Sequence, residues 1–356
     1  MGVPYHRRRS DGCLAISGGP SSRRRSFKEI RFLRGRSTGR EYGYTRPDFD
    51  SSAIVAAGIE IPRTVPVAVC VDGSRFPLNA GHRGSPRGAH GLGLSVSWRV
   101  IGASVVGSSH VQTSAPCQDS CFYHVANDAN GAVFLVALAS DGAGSAQFGE
   151  VGAEIACETS GRFLIKAVEV AGEAGLKTEL AAELLENVRA EITKAATARN
   201  VTTRELACTL LGVVIGPTQA LYFQVGDGAI VARHEGTLTP VFWPESGEYA
   251  NMTYFVTDAD AHNHLRIEVR WTTDEAALFS DGLQRLALVF SSETAHAPFF
   301  EPMFKALRTS TDEQTDSLCA ALERFLGSDA INERTDDDKT LILATRALGA
   351  TDVRGI

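Results

Sequence analysis

The residues Ser140-Asp141-Gly142-Ala143-Gly144-Ser145 follow the apolar run from Val133 to Ala139 and precede a segment with helical periodicity. A strand that ends in a carboxylate and glycines brings one acidic side chain, and backbone that another group can approach closely, to the rim of a sheet. The pattern returns at Ser280-Asp281-Gly282 after the apolar run Ala276 to Phe279, and a third acidic cluster, Asp336-Asp337-Asp338, precedes the strand-like Thr340 to Ala344. Strand-edge carboxylates this far apart in sequence predict a single site assembled by folding. Carboxylates with little His or Cys beside them suit a hard cation such as Mg²⁺ or Mn²⁺.

Outward from that stretch, short apolar segments between turn residues predict strands at 99–106, 120–125 and 132–139, the last two joined by a turn at Asn127 to Gly131. Apolar residues at three- and four-residue spacing predict two long amphipathic helices over 149–170 and 178–197, split near Gly172 to Gly175. Strands follow at 209–215, 220–225, 229–234, 253–257, 265–269 and 276–280, then helices at 297–308 and 312–327. A consecutive run of strands favours antiparallel pairing over the βαβ order of a parallel sheet. The fold class expected is α+β, a sheet pair flanked by helices.

Composition divides the chain. Residues 1–95 carry a net charge of +9 and are rich in Arg, Ser and Gly, whereas the remainder carries −16. The first part cannot bury enough apolar surface to offset chain entropy, so 1–95 is expected to be a disordered basic extension with one short strand near 65–71. It reads as a linker or an overextended translation start, or else as a basic tail or transit segment. A globular domain is expected over 96–348 and a tail over 349–356. The acidic body argues against nucleic acid as its partner. Seven scattered cysteines and no apolar run long enough to cross a bilayer predict reduced thiols in the cytoplasm, and Cys117 and Cys121 lack the second pair a zinc site needs.

Each acidic motif alone is a common turn signal. As a set, Asp119, Asp141, Asp227, Asp281 and Asp337 all fall at predicted strand boundaries. Their order, with Gln118-Asp119, Asp141-Gly142-Ala143-Gly144, Ala207-Cys208-Thr209, Val225-Gly226-Asp227-Gly228, Ser280-Asp281-Gly282 and Asp337-Asp338-Lys339-Thr340, resembles the PP2C-type metal-dependent protein phosphatases. Segments Ser109-His110 to Asp119 and Tyr249-Ala250-Asn251-Met252-Thr253 resemble the divergent bacterial branch. The resemblance covers about 98–347. It implies an α-β-β-α sandwich of two antiparallel sheets with two Mg²⁺ or Mn²⁺ ions at one end. Asp141 would bridge both ions, the Gly142 carbonyl would bind one, Asp281 and Asp337 would complete the other, Asp119 would hold bound water, and Asp227 would lie behind them or at an accessory ion. The implied activity is hydrolysis of phosphoserine or phosphothreonine on proteins by a metal-bridging hydroxide.

The sequence also departs from the family pattern. Ala143 stands where many members carry a leaving-group His, no Arg between Val111 and Cys117 matches the phosphate-clamping residue, and Gln118 replaces a water-binding Glu. His110 is the candidate replacement as phosphate or acid group. These losses motivate an alternative, a catalytically weak phosphoprotein-binding module, and a third reading, hydrolysis of a small phosphorylated metabolite. Cys208 in Ala-Cys-Thr-Leu-Leu reads as a core residue, His262 and His264 as turn residues facing water, and Trp243 as either a flap or a core cover. Oligomeric state is not legible.

Overall fold

The structure is a computed structural model that describes residues 96–244 and 253–348. The basic extension with its strand near 65–71, the segment Tyr249 to Met252, the tail 349–356, and Cys13 and Cys70 lie outside the described residues.

The strands are β1 (Val96–Val105), β2 (Asp119–Asn127), β3 (Val133–Asp141), β4 (Leu210–Ile215), β5 (Gln219–Val225), β6 (Ala229–His234), β7 (Thr237–Pro240), β8 (Arg266–Trp271), β9 (Glu275–Phe279), β10 (Leu288–Val289), β11 (Thr294–Ala295) and β12 (Lys339–Leu348). The helices of more than one turn are α1 (Ser108–Thr113), α2 (Gly149–Ala171), α3 (Thr178–Arg199), α4 (Ala297–Thr309) and α5 (Thr315–Leu326). One sheet has the order β1-β12-β9-β6-β7 and the other β2-β3-β4-β5-β8, every neighbouring pair antiparallel.

Side-chain alternation along the central strands builds the layers. Phe134, Val136 and Leu138 of β3 pack with Ala153, Leu164, Leu184 and Val188 of α2 and α3. Leu135, Ala137 and Ala139 face the opposite way, towards Leu278 and Ile342 of the other sheet. On β12, Leu341 and Leu343 pack with Phe300 and Phe304 of α4, while Ile342 and Ala344 fill the space between sheets. Both faces of β3 are covered, which is why its sequence shows a continuous apolar run rather than alternation. The architecture is the expected α-β-β-α sandwich.

The predicted strand at 253–257 is a loop. Val256 N–H donates to the Cys208 carbonyl (2.9 Å) and Phe255 N–H to Asp258 Oδ2 (2.8 Å), so the chain touches β4's entry once and turns away. The helix expected from 312 begins with a turn at Asp312–Gln314, capped by the Thr311 hydroxyl and Gln314 amide, before α5 proper. The short α1, β7 and the β10–β11 ribbon carry too few residues to show a period.

At the end of the sandwich away from the acidic cluster, Glu275 on β9 is 3% exposed and binds Arg233 Nε of β6 (2.5 Å), Arg308 of α4 and the Thr345 hydroxyl of β12 (3.3 Å). Removing the carboxylate leaves two guanidinium groups with, among the described residues, only the partly exposed Glu301 between them. Glu275→Ala is expected to cost roughly 3 kcal/mol, read as a lower urea midpoint at unchanged slope.

Candidate active site

The register between β2 and β3 places Asp119 directly opposite Asp141. Asp281 opens a single 3₁₀ turn after β9, and Asp337 lies two residues before β12, which pairs with β9. Asp227 lies in the β5–β6 turn, where Gly226 has φ of +108°, a conformation that favours glycine. The sheets thus present their acids at one end of the sandwich. Asp141, Asp227, Asp281 and Asp337 line a cleft of roughly 170 Å³ together with His110, Gln118 and Gly142 to Gly144. Asp119 is buried beneath it at 6% exposure.

Gly142 is a point of close approach. A Cβ there would stand 2.4 Å from the Gly149 backbone, so the loop after Asp141 folds tightly onto the start of α2. Its position is fixed by Gly142 N–H to the Gln118 carbonyl (3.0 Å) and Ala143 N–H to the Ala207 carbonyl (2.8 Å). The Thr209 hydroxyl accepts from Asp141 N–H at 2.9 Å. No donor among the described residues meets the Gly142 carbonyl.

The acids repel one another. Burial, then the charges of Asp119, Asp281, Asp337 and Asp227, push the Asp141 carboxyl well above the usual carboxylate range. Burial is also the leading cause for Asp119, pushed up to about 8 despite the Ser280 hydroxyl donating to its Oδ2 at 2.7 Å. Burial with the charges of Asp227 and Asp337 pushes Asp281 up to about 7, and Asp337 is raised mainly by burial.

The donor set fits hard divalent cations. It comprises carboxylate oxygens and one backbone carbonyl, and Asp119 Oδ1 is buried without a hydrogen-bond partner among the described residues. No three His, Cys, Asp or Glu side chains among the described residues already close on one point, so the acids are gathered but not drawn into a cage.

Asp338 is a site residue whose role the sequence reading missed. It is 2% exposed, accepts from the backbone N–H of Gly107 and Gln118 (both 2.5 Å), and its Oδ2 lies 2.9 Å from His110 Nδ1. It therefore pins α1, with His110, beside the cleft. Thr253 was likewise unassigned; its hydroxyl donates to Asp227 Oδ2 at 2.6 Å. Ala143 lines the cleft as a small apolar residue, so no side chain there reaches a leaving group.

The residues set aside from the site behave largely as expected. Cys208 is fully buried, and burial pushes its thiol up to about 12, which leaves it inert. The Cys117 thiol is also pushed up by burial and by Asp119 and Asp338. Trp243 covers the core, edge-on to Phe290 at 5.4 Å. His262 pairs with Glu186 at the surface, but His264 does not simply face water: it stacks on Tyr254 with ring centroids 3.4 Å apart.

The chain is similar to known proteins in sequence and in fold. The family model described as Protein phosphatase 2C matches residues 106–327. The chain is 41% identical over 252 residues to Serine/threonine-protein phosphatase 3 of Escherichia coli (strain K12), covering 70% of this chain and 98% of that protein. A crystal structure of a bacterial serine phosphatase variant superposes with a TM-score of 0.50 at 14% identity, covering 72% of this chain and all of the other. A Staphylococcus aureus serine/threonine phosphatase superposes with a TM-score of 0.48 at 14% identity over 73% of this chain and 99% of its own. With a family model matching well over half the chain and a 41% identical relative matched along 98% of its length, the chain belongs to the protein phosphatase 2C family.

Proposed function

We propose that the chain hydrolyses phosphoserine and phosphothreonine on proteins, using two Mg²⁺ or Mn²⁺ ions held at the acidic cleft. The observation that carries this reading is the convergence of Asp119, Asp141, Asp227, Asp281 and Asp337 with the free Gly142 carbonyl at one end of the sandwich. Asp141 is placed between Asp119 and Asp281 and is suited to bridge; Gly142, Asp281 and Asp337 are suited to the individual ions; Asp119 and Asp227 support from below and beside. Divalent cations bound there supply a nucleophile at neutral pH and neutralise charge on the phosphoryl oxygens.

The rest falls to this chain's own side chains. Asp338 orients the His110 ring through Nδ1 and leaves Nε2 for the cleft, so His110 takes the place of the absent His at Ala143 and protonates the departing serine or threonine oxygen. That role has a specific signature, because an alkoxide needs the proton and a nitrophenolate does not. His110→Asn is expected to lower kcat on a phosphoserine peptide about a hundredfold but on p-nitrophenyl phosphate less than about fivefold. Equal losses on both substrates would remove His110 from proton transfer.

The overall test is Mn²⁺-dependent release of phosphate from a phosphoserine peptide by the full chain, lost in Asp281→Ala. Tight peptide binding with no release in excess Mn²⁺ would instead select a phosphoprotein-binding module. Likeness across 98% of a curated phosphatase does not favour that alternative. A panel of small phosphorylated metabolites run beside the peptide separates protein from metabolite substrates. Among the described residues no helix is long and apolar enough to cross a membrane, and a cytoplasmic place of action is part of the proposal.

A further inference from the structure

A second groove adjoins the cleft and shares Thr253 and Phe255 with it. Its other walls include Ser145, Thr203, Arg204, Thr257 and Asp258. Arg204 is the only Arg or Lys among the described residues lining either space. It is exposed, and its guanidinium has no ion pair or hydrogen bond among the described residues.

Its backbone, by contrast, is firmly placed. Arg204 belongs to the 3₁₀ turn Thr203–Leu206, whose Leu206 carbonyl lies so close to Gly152 of α2 that a Cβ there would meet it at 2.1 Å. The Glu205 carbonyl accepts from Phe148 N–H at 2.8 Å, and the Ala207 carbonyl accepts from Ala143 N–H at 2.8 Å. The turn is thus bonded directly to the loop that leaves Asp141. The groove's own carboxylate, Asp258, is engaged with Phe255 N–H, and the Arg189 guanidinium donates to the Val256 and Asp258 carbonyls at 2.5 and 2.6 Å. Arg204 therefore faces the groove as a cation with no ion pair among the described residues, while Asp258 is held by a backbone N–H instead of by Arg204.

We infer that this groove seats the chain on one side of the phosphorylated residue, with Arg204 positioning an anionic substrate side chain there, a carboxylate or a second phosphate. The inference rests on the phosphatase reading and adds a substrate preference to it. The metal end of the site is strongly acidic and repels acidic peptides, so a guanidinium in the adjoining groove offsets that repulsion on one flank only.

The test uses the full chain in Mn²⁺ with p-nitrophenyl phosphate and five phosphoserine peptides: neutral flanks, acidic residues before the phosphoserine, acidic residues after it, and a second phosphoserine on each flank in turn. Wild type is expected to favour anionic residues on one flank about fivefold in kcat/KM, the preference shrinking as salt rises. Arg204→Glu is expected to reverse that preference, Arg204→Lys to keep most of it, and both to hydrolyse p-nitrophenyl phosphate at the wild-type rate. The carboxylate and phosphate arms separate the two anions. A flank preference unchanged in Arg204→Glu, or an equal loss on p-nitrophenyl phosphate, overturns the inference. Failure of wild type on every substrate overturns the phosphatase reading and this one with it.

Discussion

Asp141→Asn is expected to lower phosphatase kcat at least about a thousandfold while making the metal-free protein more stable. The two effects have one cause. Asp141 stands opposite Asp119 across the β2–β3 ladder and has Asp281 as a hydrogen-bonding neighbour. Four other carboxylates raise its proton affinity on top of burial. Asparagine keeps the shape and the amide-to-Thr209 bond but removes a buried like charge, so the folded state loses a repulsion. The same change removes the anionic oxygen proposed to bridge two cations, and a thousandfold corresponds to about 4 kcal/mol of transition-state stabilisation. A chevron or urea titration in EDTA, paired with phosphate release in Mn²⁺, reads both effects. Loss of activity together with loss of apo stability would point to misfolding, and retained activity would remove Asp141 from the site.

Much of the fold could be read from the chain because its signals are local. The apolar run of β3, the helical spacing of α2 and α3, and the Asp at each strand end all declare themselves within ten or so residues. What pairs with what is not local. The opposition of Asp119 and Asp141 follows from a register that only the closed sheet sets. Asp336, Asp337 and Asp338 are chemically alike in sequence; the structure turns Asp337 into the cleft and Asp338 inward onto the Gly107 and Gln118 amides and His110. The segment 253–257 has the β-branched and aromatic residues of a strand, yet it finds a single bridging hydrogen bond instead of a ladder. Arg204 gave no sequence signal at all, because its meaning lies in its place beside the cleft without an ion pair among the described residues. The site was legible where chemistry and strand ends coincide, and illegible where it depends on which of several equivalent groups faces inward.

Metal-free protein is expected to lose stability as pH rises from about 4 to about 8, and Mg²⁺ or Mn²⁺ is expected to restore it most at the alkaline end. An unfolded aspartate titrates near 3.8, whereas burial and mutual repulsion push the folded Asp281 up to about 7 and Asp119 up to about 8. Between those values the folded state holds protons the unfolded state has released, so stability falls with pH, by about 1.4 kcal/mol per unit for each proton of difference. Well below pH 4 Asp281 and Asp119 are protonated in both states and well above pH 8 they are ionised in both, so their contribution to the slope fades outside the window. Divalent cations act oppositely, because they need the ionised carboxylates and compete with protons for them. At a hundredfold excess over the dissociation constant the added stability is about 2.7 kcal/mol, several degrees in Tm for a domain of this size. Differential scanning fluorimetry at pH 5, 6.5 and 8, with EDTA or Mn²⁺, should therefore show Tm falling with pH in EDTA and the Mn²⁺ shift growing with pH. Asp141→Asn should flatten the EDTA profile and shrink the Mn²⁺ shift, which ties both slopes to the acidic cleft and not to the eight histidines elsewhere in the chain. A Mn²⁺ shift of equal size at pH 5 and pH 8 would mean that the cation stabilises the protein through some group other than these carboxylates.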